Sequence, residues 1–337
     1  MGFEIRPYQR PFRQPLRTAH GLWAVREGLI LRLVDGEGHI GYGEIAPMPW
    51  FGTETLAQAL TFCQSLEPSF WQNRTTLAET DIPPHLTATQ FGLASAWIGQ
   101  QSARISSSAP RPAAAPLPHC ALLPATDAAL TAWLPLWDQG FRTFKWKIGV
   151  ADISQECRWL ETLMAQLPAA ARLRLDANGG LTVAAAAQLL RVCDQVNGKE
   201  GRIECLEQPL PPEQFHAMQR LAQQFKTPLA LDESVATLAQ LEDHQRRGWT
   251  GLWVVKPAIA GWPDRLRRFW RHHAPTLLFS SVFETPIGRQ AALTLAHDYA
   301  HDMPGAHTLG FGTLGWFDDH WDHLSPAQLW DHIGAAR

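Results

Sequence analysis

The sequence has no C-x-x-C pair. Its five cysteines, Cys63, Cys120, Cys157, Cys193 and Cys205, are scattered and odd in number, which argues against both a disulfide framework and a thiolate metal site and leaves them as buried apolar fillers. No apolar run approaches bilayer-spanning length and no cationic stretch leads into an apolar one, so no membrane insertion is expected and the chain is expected in the cytoplasm. With a net charge of −3 and no basic stripe, nucleic acid is not an expected partner. Walker and dinucleotide motifs are missing; Gly310-Phe311-Gly312 is too short for the latter. His272, His273 and the histidines from His297 onward form no H-E-x-x-H and read as solvent-facing. What is present is 337 residues, 45% of them hydrophobic, enough for two domains with an ample core.

The first third reads as a meander followed by helices, an α+β unit. Strands are expected over residues 1–9, 28–34 and 39–45, the last two joined by Asp35-Gly36-Glu37-Gly38. Helices are expected over 53–66, with Thr53 as the capping threonine, and over 85–102. Two loops, Arg17-Thr18-Ala19-His20-Gly21-Leu22-Trp23 and Ala46-Pro47-Met48-Pro49-Trp50-Phe51-Gly52, carry glycine and tryptophan where no regular element needs them, and are candidates to close over a site. Residues 101–118, rich in Ser, Ala and Pro, read as a linker.

After the linker the rhythm changes. In Phe144-Lys145-Trp146-Lys147 both lysines share one face of an apolar run. A buried strand carries such a pair if an anion lies opposite or if one lysine is neutral; a neighbouring cation and desolvation both favour the neutral form. The alternative is a strand end whose lysines reach water. Apolar runs ending in a charge recur at Asp176, Glu207, Asp232 and Lys256, at steps of 24 to 31 residues, the length of one strand plus its crossover helix. Strands are also expected over 117–123, 276–283 and 307–311. Repetition of this unit predicts a parallel barrel whose C-terminal strand ends converge on one mouth.

Three carboxylates at one mouth repel unless they share a cation, and all-oxygen ligation suits Mg²⁺, with Mn²⁺ able to substitute. Lysines on both flanks then suit removal of a proton next to a carboxylate. Asn178 lies on the Asp176 face as a partner for it. Glu204 and Glu233 compete for ligand roles, and strand alternation forbids Asp232 and Glu233 from both pointing inward without choosing between them.

These motifs, with Gly41-Tyr42-Gly43-Glu44-Ile45-Ala46-Pro47, Glu207-Gln208-Pro209 and Ser280-Ser281-Val282-Phe283-Glu284-Thr285, resemble those of the enolase superfamily, and within it of the o-succinylbenzoate synthases of menaquinone and phylloquinone biosynthesis, over nearly the whole chain. The resemblance implies a modified (β/α)7β barrel with an N-terminal α+β capping domain. We place the capping domain at 1–105 and the barrel at 106–312, with 313–337 packing back on the capping domain. The resemblance further implies Mg²⁺ on Asp176, Glu207 and Asp232, which selects Asp232 over Glu233. It makes Lys147 base and then acid, with Lys145 beside it, and sets Lys256 on the opposite face of the substrate. It also implies that Ser280 and Ser281 help bind the substrate's carboxyl groups and that the two N-terminal loops cover it, so Arg17, His20 and Asn178 join the candidate substrate contacts. The implied reaction is a syn dehydration of 2-succinyl-6-hydroxy-2,4-cyclohexadiene-1-carboxylate to 2-succinylbenzoate. N-acylamino acid racemases and dipeptide epimerases share the catalytic set; the last strand here, His307-Thr308-Leu309-Gly310-Phe311-Gly312-Thr313, lacks the Asp-x-Asp of the epimerases, which favours the synthase. Oligomeric state is not readable from the sequence.

Overall fold

The computed structural model describes residues 2–18, 21–71, 75–105, 117–197, 201–305 and 308–335. It begins with an antiparallel sheet of β1 (Gly2–Thr18), β2 (Gly21–Val34) and β3 (Ile40–Ile45), in that order. The first strand runs well past Gln9, where the sequence reading ended it. It is an edge strand, so Pro7, Pro11 and Pro15 remove no N–H from a second neighbour, and pairing continues to Thr18 opposite Gly21 with a register shift between Pro11 and Leu16. Residues 17, 18 and 21–23 of the expected loop are therefore paired strand. His20 and the Arg17 side chain lie outside the described residues.

Helices α1 (Leu56–Ser65), α2 (Pro68–Trp71) and α3 (Thr87–Ile105) follow. The cap of α1 is Thr55, not Thr53: its hydroxyl accepts from the Gln58 N–H at 3.2 Å while Gln58 Oε1 accepts from the Thr55 N–H at 2.8 Å, a reciprocal box that satisfies two otherwise orphaned donors. Helix α3 rests directly on the backbone of β3. A Cβ on Gly41 would lie 1.9 Å from the Ala96 carbonyl oxygen, and one on Gly43 2.0 Å from that of Gly92, so only glycine permits this approach. Because α3 continues to Ile105, the start of the expected linker is helical; residues 106–116 of that linker lie outside the described residues.

The second sheet is parallel and holds β4 (Ala121–Leu123), β5 (Thr143–Lys147), β6 (Arg172–Asp176), β7 (Ile203–Glu207), β8 (Leu229–Leu231), β9 (Leu252–Val255) and β10 (Leu277–Phe279), neighbours in space as in sequence. Around it lie α4 (Ala129–Asp138), α5 (Ile153–Gln166), α6 (Val183–Asn197), α7 (Phe215–Gln224), α8 (Leu238–Arg246), α9 (Pro257–Ala260), α10 (Pro263–His273) and α11 (Pro286–Asp302). The curled sheet is closed by residues 309 and 310: Leu309 bridges His119 and Gly310 bridges Ser280, both in parallel. The two last expected strands are thus shorter than their apolar patterns. β10 stops at Phe279, and the chain then turns, reaching a left-handed φ of 62° at Phe283; Ala306 and His307 lie outside the described residues.

Alternation along the strands divides the barrel's residues. Phe144, Trp146, Leu173 and Leu175 are buried under the helices, each stabilising the fold by roughly 1.5–3 kcal/mol, while Lys145, Lys147, Arg174 and Asp176 take the inner face. The last helix, α12 (Pro326–Ala335), returns to the first sheet, where Leu329, Trp330 and Ile333 pack with Tyr8 and Ile30. Arg10 beside them holds Asp319 at 2.7 Å and Asp322 at 2.9 Å. The buried Glu44 of β3 joins the first sheet to helix α11. It accepts from the Tyr8 hydroxyl and, at 2.9 Å each, from the N–H groups of Thr285 and Gly288 at the start of α11, where a carboxylate meets the positive end of the helix. All five cysteines are buried and free. Among the described residues no helix is long and apolar enough to cross a membrane.

Candidate active site

Parallel pairing aligns the ends of three successive strands. Lys147 is opposite Asp176, and Asp176 is opposite Glu207. One layer below Lys147, the Lys145 ammonium lies 2.8 Å from Asp176 Oδ2 and 2.8 Å from Glu207 Oε1. Of the two alternatives for the lysine pair, the anionic partner is the one realised for Lys145. Burial opposes its charge, but Asp176 and Glu207 outweigh burial and hold its pKa above the ordinary lysine value. Burial likewise works to raise the Asp176 pKa, and Lys145 overrides it, leaving this carboxyl below its usual range. Glu207 is pushed up by burial and by Asp176.

Asp232 and Lys256 lie just beyond β8 and β9, and the Lys256 ammonium bonds Asp232 Oδ1. Burial pushes Lys256 down to about 7. Its Nζ also sits 4.5 Å from the centre of the Phe51 ring, so the loop 46–52 of the N-terminal part reaches the mouth. Trp50 in that loop packs edge-on against Trp23, and Trp23 against Phe283, so both tryptophan-bearing N-terminal segments meet the mouth.

The expectation that Asp232 and Glu233 cannot both face inward is corrected. β8 ends at Leu231, and at Asp232 (φ −125°, ψ −77°) the backbone enters a tight turn, so alternation no longer applies. Glu233 Oε1 accepts from the Asn178 amide at 3.2 Å, and burial together with Asp176 and Glu207 raises its pKa to about 7. Asn178, in a left-handed conformation with φ 44°, also donates its backbone N–H to Asp176 Oδ1 at 3.1 Å. Glu204 is drawn instead to Arg174, 2.7 Å away.

Ser280 Oγ lies 3.4 Å from the Gly310 carbonyl oxygen. The Ser281 hydroxyl donates to Glu284 and accepts from the Phe283 N–H at 2.9 Å and the Thr313 hydroxyl at 3.2 Å. Sequence reasoning assigned no role to Phe51, Gln208 or Glu284, although each stands inside a motif it singled out.

The carboxylates Asp176, Glu207 and Asp232 are each engaged by an ammonium and do not close to mutual ligand distance. Among the described residues, the one trio that does, within 4.8 Å, is Asp35, Glu37 and His39 in the β2–β3 turn, where Asp35 already accepts from the Glu37 and His39 N–H groups and from Gln100. At the barrel mouth the donors are all oxygen, and Glu233 Oε2 is buried with no partner; such a set suits Mg²⁺.

Residues 129–320 match the family model described as Enolase C-terminal domain-like, and residues 4–99 the one described as MenC, N-terminal domain. The chain is 41% identical over 320 residues to an o-succinylbenzoate synthase of Thermosynechococcus vestitus, covering 94% of each chain. It is also similar to the crystal structure of an o-succinylbenzoate synthase from Thermosynechococcus elongatus BP-1 complexed with Mg in the active site, with a TM-score of 0.86 and 38% identity over 100% of both chains. The L-Ala-D/L-Glu epimerase of Bacillus subtilis, at TM-score 0.74 and 21% identity over 95% of this chain and 91% of that one, shares the fold.

Proposed function

We propose, for a chain that belongs to the o-succinylbenzoate synthase family of the enolase superfamily, that Lys147, Lys256 and the carboxylates Asp176, Glu207 and Asp232 perform the family's dehydration. The reaction converts 2-succinyl-6-hydroxy-2,4-cyclohexadiene-1-carboxylate to 2-succinylbenzoate and water, with Mg²⁺ as cofactor. Asp176, Glu207 and Asp232 would hold the Mg²⁺, which when bound polarises the substrate carboxylate as a Lewis acid. Lys147 takes the proton next to the ring carboxylate. Lys256 stabilises the enediolate charge from the other face. In a syn elimination the departing hydroxyl lies on the face the proton left, so Lys147 returns that proton to it and water departs as the ring becomes aromatic. Lys145 holds Asp176 and Glu207 in place and favours the ionised form of Asp176, and Asn178 fixes Asp176 from behind. Ser280, Ser281, Arg17 and His20 are the proposed contacts to the substrate's carboxyl groups. We take 1–105 as the capping domain, with 313–337 packed on it, and 106–312 as the barrel. The protein acts in the cytoplasm on a small-molecule carboxylate, without nucleic acid and without membrane insertion.

The observation that carries this reading is the row of strand ends in register, Lys147, Asp176 and Glu207, facing Asp232 and Lys256 across one buried mouth. The test gives purified protein and Mg²⁺ either the diene acid or an N-succinylamino acid in D₂O. Rapid loss of diene absorbance with negligible α-deuteration is expected; efficient α-deuteration without diene consumption would assign the site to racemisation.

A further inference from the structure

Asp232 presents a positional problem that the sheet does not solve. β7 and β8 pair only at Leu206 with Leu229 and at Glu207 with Ala230, and β8 ends one residue before Asp232. The last backbone bond between these strands, from the Gln208 N–H to the Ala230 carbonyl at 2.8 Å, falls two residues before Asp232, so no backbone bond ties Asp232 itself to β7. The side chain of Gln208 occupies this gap. It is wholly buried. Its Oε1 accepts from the backbone N–H of Asp232 at 2.9 Å and of Ser234 at 3.2 Å, and its Nε2 donates to the Leu210 carbonyl and the Ser234 hydroxyl, both at 2.8 Å. The backbone of Gln208 is equally committed. Its N–H donates to Ala230 and its carbonyl accepts from Gly179, just past Asn178, at 2.7 Å. To make all these bonds the residue takes a left-handed φ of 35°, which a residue with a β-carbon adopts only when its surroundings require it.

We infer that Gln208 is a positioning residue whose side-chain amide acts as the spacer between Glu207 and Asp232 and thereby sets the affinity of the site for its divalent cation. The inference rests on the reading that Asp176, Glu207 and Asp232 hold Mg²⁺. Gln208 touches neither substrate nor metal. It holds the backbone that carries Asp232 at a fixed distance from the strand end that carries Glu207, and a metal site loses affinity when such supporting hydrogen bonds are removed.

Two substitutions separate spacing from general packing. Gln208→Asn keeps the amide, shortens it by one methylene and places a residue that tolerates left-handed backbone; Gln208→Met keeps the length and removes the hydrogen bonds. Mg²⁺ binding is measured by titration calorimetry, and the Mg²⁺-dependent rise in Tm is measured alongside, for wild type, both variants and Asp232→Asn. Both Gln208 variants are expected to bind Mg²⁺ at least tenfold more weakly and to lose most of the Tm rise, while Gln208→Asn retains the wild-type circular dichroism spectrum. A folded Gln208→Asn with wild-type Mg²⁺ affinity, beside an Asp232→Asn that has lost it, would overturn the spacer and leave the metal site standing. Absence of Mg²⁺ binding by wild type, or unchanged binding by Asp232→Asn, would overturn the metal assignment and the spacer with it.

Discussion

At the scale of single residues, the mouth separates groups that hold the site together from groups that act on substrate. Lys145 is bonded to two carboxylates, whereas Lys147, one layer nearer the opening, is the proposed base. Lys147→Ala is expected to lower kcat by about 10² to 10⁴-fold with substrate KM and Mg²⁺ affinity little changed; steady-state kinetics with a parallel Mg²⁺ titration decides it, and a loss confined to KM would remove Lys147 from the chemistry. Asp232→Asn is expected to weaken Mg²⁺ binding more than Glu233→Gln does, because Asp232 is the proposed third ligand and Glu233 is not; calorimetry showing the reverse order would exchange their roles. Alternation along a strand made Lys145, Lys147, Asp176 and Glu207 legible in the sequence, because Lys147, Asp176 and Glu207 are each the last inward residue of an apolar run and Lys145 is the inward residue just before Lys147. The same rule misjudged Glu233, since the strand ends at Leu231 and a turn brings both neighbours to the mouth. Gln208 and Phe51 act through a side chain folded back on a neighbouring strand end or delivered from another sheet, which no linear spacing encodes.

At the scale of elements, the barrel's strands were legible from the recurrence of one βα unit, while their ends were not, since Ser280 to Phe283 continue the apolar pattern after the chain has turned. The close seating of α3 on β3 gives an expectation for Gly43→Ala. The added methyl would meet the Gly92 carbonyl, and overpacking of this kind costs about 1–3 kcal/mol or more, read as a lower urea midpoint; an unchanged midpoint would mean that α3 can lift away freely. Helices α10 and α11 are tied by Asp302, which accepts from Trp270 Nε1 at 2.9 Å and Arg271 Nε at 2.7 Å. The Trp270 and Arg271 bonds hold its pKa down, to about 2. Because this folded value lies below the unfolded one of roughly 3.9, the stabilisation is fully present above that pH and is lost as pH falls through 2. Asp302→Asn is therefore expected to be less stable than wild type at neutral pH, with the two urea midpoints converging as the medium is acidified; a gap that stays constant down to pH 2 would deny the linkage.

At the scale of the whole molecule, Glu44 is one of the buried links between the first sheet and the helices of the barrel. Glu44→Ala would strand the buried donors of Tyr8, Thr285 and Gly288, each at a cost of about 1–3 kcal/mol. Its Tm is expected to fall by far more than that of Arg13→Ala, which breaks the exposed pair with Asp318, worth about 0–1 kcal/mol, and a 3.4 Å bond to the Phe317 carbonyl; calorimetric scans of both variants make the comparison, and equal shifts would mean that the Glu44 bonds add little to the joint between the first sheet and α11. The seam at Leu309 and Gly310 has a different kind of consequence, for how the ring comes into being. It joins the beginning of the barrel to its end, so the entropy of closing nearly the entire barrel chain must be met before its few hydrogen bonds can form. Seven strands can add one after another in chain order, and the ring shuts last. Until then β4 and β10 stand as open edges able to pair with another chain, and refolding at high protein concentration will lose material to aggregates through those two edges.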